Sequence, residues 1–234
     1  MTPYDLWYWP GIPGRGEFVR LALEAGGIPY RDRAREDGVG EEGLMADMAA
    51  RRPKPFAPPY LVAGELVIAQ TANILLFLGD EHGLAPEDRA GRLLAHQYQL
   101  TVADIVAEAH DTHHPVALDA YYEDQKPEAA RRAASFREAR IPKFLGWFEQ
   151  ALDGREWLVG NTWSYADLSL FQLVEGLDFA FPKRMAAVAD DIAGVRALHG
   201  RVKALPSLAG YLASDRRIPF GDGIFRHYPA LDRA

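Results

Sequence analysis

The chain contains no cysteine. That absence excludes disulfides, thiolate metal sites and a cysteine nucleophile, so any thiol chemistry must use a thiol carried in by a ligand. An apolar run of about 18 residues, the length a membrane-spanning helix needs, is also missing. The first residues, Met1-Thr2-Pro3-Tyr4-Asp5, lack the basic region and apolar core of a signal peptide. A soluble cytoplasmic protein with no membrane partner is therefore expected. Positive charge is in deficit, with 26 Lys and Arg against 33 Asp and Glu and a net charge of -7. Phosphate neutralisation needs clustered cations that carboxylates do not outnumber, so no nucleic-acid partner is expected. Short basic runs such as Lys183-Arg184 and Arg216-Arg217 read as solvated surface, and there is no internal repeat or low-complexity tract.

The chain has 234 residues at 48% hydrophobic composition, enough for one large core or two modest ones, and usual domain sizes favour two. From Tyr4 to about His82, strand and helix alternate. Leu6-Trp7-Tyr8 reads as a buried strand, while Phe18, Leu21, Ala22 and Ala25 recur on one helical face that Gly26-Gly27 ends. A short strand near Pro29 to Arg33 completes a βαβ unit, and a weak helix runs from Asp37–Gly43 to Ala50. Tyr60-Leu61-Val62 and Leu66-Val67-Ile68-Ala69 flank Ala63-Gly64-Glu65 as a hairpin, and Thr71 can cap a helix carrying Ile74, Leu75, Phe77 and Leu78. The order βαβ, helix, ββα is that of a thioredoxin-like domain with a four-stranded mixed sheet.

Past the linker Gly83 to Asp88 the strand signals stop, and helical patterns continue to about Ala213. The expected organisation is a thioredoxin-like α/β domain over 1–84, an all-helical domain over 88–216 and an extended tail over 217–234. Ser164 and Asp167 form an S-x-x-D capping pair before the apolar run Leu168, Leu170 and Phe171.

Tyr8 ends its strand just before the turn Trp9-Pro10-Gly11-Ile12-Pro13-Gly14 and a helix starting near Arg15. A free thiol has a pKa of about 8.5, and a hydrogen bond donated to sulfur favours the thiolate. Tyr8 can supply that donor, while the helix N-terminus and Arg15 add positive potential. By itself Tyr8 also reads as a packed strand tyrosine.

With Tyr8 and Gly14-Arg15, Pro59-x-Leu61, Gln70-Thr71 and the capping pair ending in Ala166-Asp167 in this order, the chain resembles the cytosolic glutathione transferase family. The resemblance runs from Tyr4 to about Ile218 and points to the tyrosine type, similar to bacterial and sigma-, mu- and pi-like members. Ile141-Pro142 with Phe148, and Leu205-Pro206-Ser207-Leu208, look like further signatures.

The resemblance implies a homodimeric enzyme that joins glutathione thiolate to small hydrophobic electrophiles, with peroxidase or isomerase activity as related outcomes. The alternative is a noncatalytic ligand-binding or regulatory protein on the same fold. Tyr8 and Arg15 would be catalytic. Pro59 would be the cis residue, and Pro58 would face the cysteinyl backbone of glutathione, with a carbonyl to accept but no N–H to donate. Gln70 and Thr71 would hold the γ-glutamyl carboxylate, and Asp104 would face the γ-glutamyl amino group of the neighbouring subunit. For the glycyl carboxylate the candidates are Arg51, Arg52 and Lys54, of which Lys54 is preferred.

Trp9 and the turn His110, His113 and His114 are the candidate wall of the electrophile pocket, with His113 or His114 contacting the second substrate; solvent-facing or dimer-contact histidines are the other reading. Two histidines four apart can grip a divalent metal. No other helix offers a partner ligand, however, and the resembled family requires none, so no metal is expected.

Overall fold

The computed structural model describes residues 2–233. Its sheet has the order β2-β1-β3-β4, from β1 (Tyr4–Trp7), β2 (Tyr30–Asp32), β3 (Tyr60–Ala63) and β4 (Leu66–Ala69). β1 runs parallel to β2, with Tyr4 opposite Tyr30, and antiparallel to β3, with Leu6 opposite Leu61. The sheet is therefore mixed, as the sequence pattern implies.

Successive side chains of a strand point to opposite faces. Leu6 and Leu61 enter the large core beneath α1 (Gly16–Ala25) and α3 (Thr71–His82), where Leu21, Leu75 and Leu78 are fully buried. Trp7 and Tyr60 face the other way and stack at 6.1 Å, forming a smaller cluster with Ala34, Leu44 and Met48 under α2 (Gly40–Ala50). Both faces of the sheet are covered at Leu6 and Trp7, which explains why Leu6-Trp7-Tyr8 reads as continuously apolar.

From Arg89 to Leu212 every regular element is helical: α4 (Arg89–Asp111), α5 (Lys126–Ser135), α6 (Ile141–Leu152), α7 (Tyr165–Ala180), α8 (Pro182–Ala187), α9 (Ala193–Lys203) and α10 (Pro206–Leu212). Ala95, Tyr98, Gln99, Val102, Ile105, Val106 and Ala109 form the buried stripe of α4 at three- and four-residue spacing. α7 is buried nearly all round and forms the axis of this bundle. Its start is the expected capping box: Asp167 accepts from the backbone and hydroxyl of Ser164 and from the Leu158 N–H, each at 2.8 Å. A π-helical turn, Phe136–Arg140, joins α5 to α6 just before Pro142, which has no N–H for the helical ladder. Among the described residues no helix is long and apolar enough to cross a membrane.

The two regions are joined by buried charge. Glu17 and Arg20, one turn apart on α1, are almost wholly inaccessible. Arg20 Nε donates to Asp32 at 2.7 Å on the sheet side. Glu17 accepts from the Tyr211 hydroxyl at 2.8 Å and from Arg217 at 2.9 Å on the helical side.

The tail is neither loose nor detached. Ile224, Phe225 and Leu231 are buried, and Asp232 accepts from the backbone N–H of Lys183 at 2.9 Å at the start of α8. Phe225 lies so close to Gly176 that a Cβ there would stand 2.3 Å from its ring, so the tail can seat only on glycine.

Asp47 ties α2 to the sheet, accepting from Tyr60 at 2.8 Å and from Arg51 at 2.8 and 2.7 Å. Burial alone would raise the Asp47 carboxyl, but these donors hold it below the usual carboxylate range. The folded state therefore binds this proton less readily than the unfolded chain, and the stabilisation is present above the unfolded pKa and lost as pH falls through the folded value. Asp47→Asn is expected to lower the urea midpoint at neutral pH, with the gap from wild type closing below about pH 4. Urea titrations of both proteins across that range check it; a gap independent of pH contradicts it.

Candidate active site

Tyr8 follows β1 directly, and the turn after it brings the chain back across its ring. The Tyr8 hydroxyl accepts the backbone N–H of Arg15 at 2.8 Å. A Cβ on Gly14, whose φ is +43°, would lie 2.1 Å from that hydroxyl, and one on Gly16 would lie 2.5 Å from the ring. Only glycine at both positions lets the start of α1 press on the phenol. The Arg20 guanidinium carbon lies 5.8 Å from the centre of the same ring.

Burial raises the Tyr8 pKa above its ordinary value, more than the Arg15 N–H and the charges of Arg15 and Arg20 lower it. Tyr8 is thus a phenol at neutral pH. Its oxygen lone pair is used by Arg15, and its proton has no acceptor among the described residues. A buried phenol in that state can donate to an anion.

A second candidate cluster lies at the start of α3. Gln70 holds φ +72° and ψ +122°, a backbone conformation that L side chains rarely adopt and that local structure must enforce. The Thr71 hydroxyl is buried without a hydrogen-bond partner among the described residues; Thr71 is the first residue of α3 and Gln70 holds the cap position, which corrects the expectation that Thr71 caps the helix. Thr71 shares a small cavity with Arg15, Phe18 and Gln99, and the Gln99 side-chain oxygen is likewise buried and unpartnered. Gln99 escaped the sequence reading because its helical position marks only a core face; nothing in the spacing distinguishes a polar core residue from a site residue.

The remaining glutathione-side candidates separate by their commitments. The Pro58–Pro59 peptide bond is cis, and Pro59 is buried. Arg51 is bound to Asp47, and Arg52 is turned onto the carbonyls of Ala49 and Arg51, whereas Lys54 is exposed with no ion pair among the described residues. Asp104 is exposed on α4. Trp9 is not gathered with the histidines; it packs against the Trp7, Leu44 and Met48 cluster on the α2 side of the sheet.

The histidine turn is tighter than its spacing suggests. His110, His113 and His114 have ring centroids 4.7–5.0 Å apart. His113, one of the two histidines expected to contact a second substrate, is buried, with Nε2 2.9 Å from the Ile224 carbonyl of the tail. His114 Nδ1 lies 3.1 Å from the Ala120 carbonyl, and both His110 and His114 are half-buried. Burial, then the nearby His114, Arg15 and Arg226, hold His110 down at about 4. Burial also dominates at His113, held at about 3 although its bond to Ile224 opposes the shift. Arg15 therefore stands close enough to influence His110, which links the Tyr8 turn to the end of α4. The tail closes the same side, with Gly223 packed against Ile12 and Gly14.

Residues 110–215 match the family model described as the C-terminal domain of glutathione S-transferase. The glutathione S-transferase of Plasmodium falciparum is 22% identical over 218 residues, covering 88% of this chain and 94% of that protein. The class-mu 26 kDa isozyme 7 of Fasciola hepatica is 24% identical over 235 residues, covering 94% of this chain and 97% of that one. In three dimensions the chain is similar to the Pi-class glutathione S-transferase of Onchocerca volvulus, with a TM-score of 0.71 at 21% identity over 90% of this chain and 92% of that one. It is similar also to prostaglandin synthase D of Nilaparvata lugens, with a TM-score of 0.71 at 16% identity over 94% of this chain and all (100%) of that one. The solved structures share the fold, a thioredoxin-like domain followed by a helical one. Together, the family model and the relatives support the glutathione S-transferase family.

An ultraviolet pH titration of wild type against Tyr8→Phe isolates one phenol. The step missing from the variant is expected above the ordinary tyrosine pKa of about 10; a step below it would mean that Tyr8 is an anion or an acceptor instead.

Proposed function

We propose that the chain is a glutathione transferase of the tyrosine type, in which Tyr8 donates to the glutathione sulfur and holds it as thiolate. The observation that carries this is the Tyr8 oxygen accepting from Arg15 at 2.8 Å, which leaves the phenol proton for the ligand. One charge-assisted hydrogen bond and the head of α1 suffice for a shift of about 1.5 units, or about 2 kcal/mol. Thiolate generation and positioning are then the main contributions to catalysis.

The unpartnered Thr71 hydroxyl, the strained Gln70 and the adjacent helix amides suit the γ-glutamyl carboxylate, with Lys54 for the glycyl end. Pro58 accepts one backbone bond from the cysteinyl unit and cannot return one, which weakens glutathione binding without touching the sulfur. A small hydrophobic electrophile would enter beside His110 and His114. Conjugation, hydroperoxide reduction and isomerisation all begin from the same thiolate. A noncatalytic binding protein on this fold has no use for a buried phenol whose proton is kept unpaired.

Absorbance titration of bound glutathione tests the activation. The bound thiol is expected to ionise at least one unit below the free value of about 8.5, and to return toward it in Tyr8→Phe. Saturable binding without such a shift would remove Tyr8 from the mechanism.

The working form would be a homodimer. Phe56 is 93% exposed on the loop before β3, while a hollow of about 550 Å³ lies open between α4 and α6, lined by Thr101, Pro142, Phe144 and Trp147 among others. A projecting aromatic and an apolar hollow on one chain are self-complementary under a two-fold axis. Asp104 lies one turn from Thr101 on α4, so the same contact would turn it toward the neighbouring site. Phe56→Glu is expected to weaken self-association about thirtyfold or more in sedimentation equilibrium. A wild-type monomer, or an unchanged dimer in the variant, contradicts it.

A further inference from the structure

We propose that His110, His113 and His114 form a binding site for a divalent transition metal ion, zinc in the first place. One ring nitrogen from each lies within 4.8 Å of the other two. Ligand nitrogens around a tetrahedral zinc stand about 3.4 Å apart, so ring rotations of about 1 Å would close the site. All three ligands come from one break in the chain: α4 ends at Asp111, and the turn that follows folds His113 and His114 back against His110.

The second set of contacts has the form such sites require. A metal-binding imidazole usually donates its other N–H to a carbonyl or carboxylate, which fixes the tautomer and aims the lone pair. His113 Nε2 is 2.9 Å from the Ile224 carbonyl and His114 Nδ1 is 3.1 Å from the Ala120 carbonyl. A carbonyl only accepts, so the protons sit on those nitrogens, and the lone pairs fall on His113 Nδ1 and His114 Nε2. His113 Nδ1 is buried with no hydrogen-bond partner among the described residues. His113 itself is 1% exposed, so this acceptor has no ready water to satisfy it.

The nearby carboxylates do not compete. Glu108 is gripped by Arg140 at 2.7 Å and by Arg132 at 3.3 Å, and Asp111 faces Arg132 at 3.9 Å. The donor set is therefore three imidazoles without a carboxylate, which suits zinc, copper, nickel or cobalt rather than magnesium or calcium. Three protein ligands leave a fourth position open. Arg15 and Arg226, whose charges reach His110, oppose a bare cation, so the open position would favour an anionic fourth ligand such as hydroxide or chloride. The site does not rest on the transferase reading, and either can fail alone.

Cobalt(II) reports the site directly, because its visible bands are strong in four- and five-coordinate sites and the chain has no cysteine to add thiolate bands. Untagged, chelator-treated full-length protein, free of glutathione, is titrated with cobalt(II) chloride and then with zinc chloride. The expected result is one cobalt per chain with strong visible bands that zinc abolishes. The bands should vanish in His113→Ala and binding should weaken about tenfold or more in His110→Gln and in His114→Gln. His96→Gln, a histidine outside the cluster, should bind as wild type. The two glutamine variants alter half-buried side chains, so they carry the test should His113→Ala fail to fold, as circular dichroism would show. No saturable binding, or bands that persist in both glutamine variants, overturns the proposal.

Discussion

Arg20 is the side chain on which the rest of the molecule depends. It is fully buried, and a buried guanidinium without partners is costly enough to dictate what surrounds it. It reaches Asp32 at the end of β2, the Pro13 carbonyl at 3.4 Å in the turn after Tyr8, and Glu17 at 3.5 Å on its own helix. Through Glu17 the network continues to Tyr211 and Arg217, and Arg217 lies 3.2 Å from Gln172 and 3.6 Å from Glu175 on α7. Sheet, active-site turn, bundle axis and the start of the tail are thus referred to one pair of charges. Removing one member of such a network leaves an uncompensated buried charge, at about 3–5 kcal/mol, whereas the intact network adds little over an apolar replacement. Its value here is geometric, since it fixes α1 against the helical domain while the ring of Tyr8 rests within reach of the same guanidinium.

That fixed position allows the Tyr8 turn to be so tight. Gly14 and Gly16 leave no space between the chain and the phenol, and the Arg15 N–H meets its oxygen without any side chain being ordered first. Groups that are aligned before the ligand arrives need no reorganisation when charge forms on sulfur. The tail completes the enclosure. It packs on Ile12 and Gly14 at Gly223, on His113 at Ile224 and on α7 at Phe225, and it is anchored beyond all three by Asp232. The surroundings of Tyr8 and of the histidine turn are therefore assembled from sequence-distant pieces of one chain.

The fold was legible where local rules govern it. Strand alternation, the glycine turn at Gly64 and the Ser164–Asp167 box each depend on neighbours within a few residues, and each lies where the pattern puts it. Tyr8 and Gln70-Thr71 were picked out through resemblance, and at those positions the structure has an unpaired phenol proton and a strained Gln70. What stayed hidden depends on partners far along the chain. Glu17 and Arg20 carry the signature of a solvated helix face, and only Asp32, Tyr211 and Arg217 make them buried. The tail reads as extended and polar, and its apolar residues have no period to betray a binding groove. All three histidines were read as one turn, but a metal partner was sought on another helix, whereas the break after Asp111 gathers the three rings by itself.

Arg15 ties the two halves of the site together. Its backbone N–H serves Tyr8, its side chain lines the cavity shared with Thr71 and Gln99, and its charge weighs on His110. Its positive charge adds to the burial that holds His110 down. Tyr8, His110 and His113 are all neutral near pH 7, each through burial before any other cause. On the proposed reading, the positive potential felt by an incoming thiol would be carried by Arg15, Arg20 and the head of α1. A thiolate would then be stabilised by a fixed field rather than by proton exchange with a neighbouring base. Catalysis on that reading would depend on where those fixed charges stand, which returns the control of the chemistry to the buried pair that positions α1.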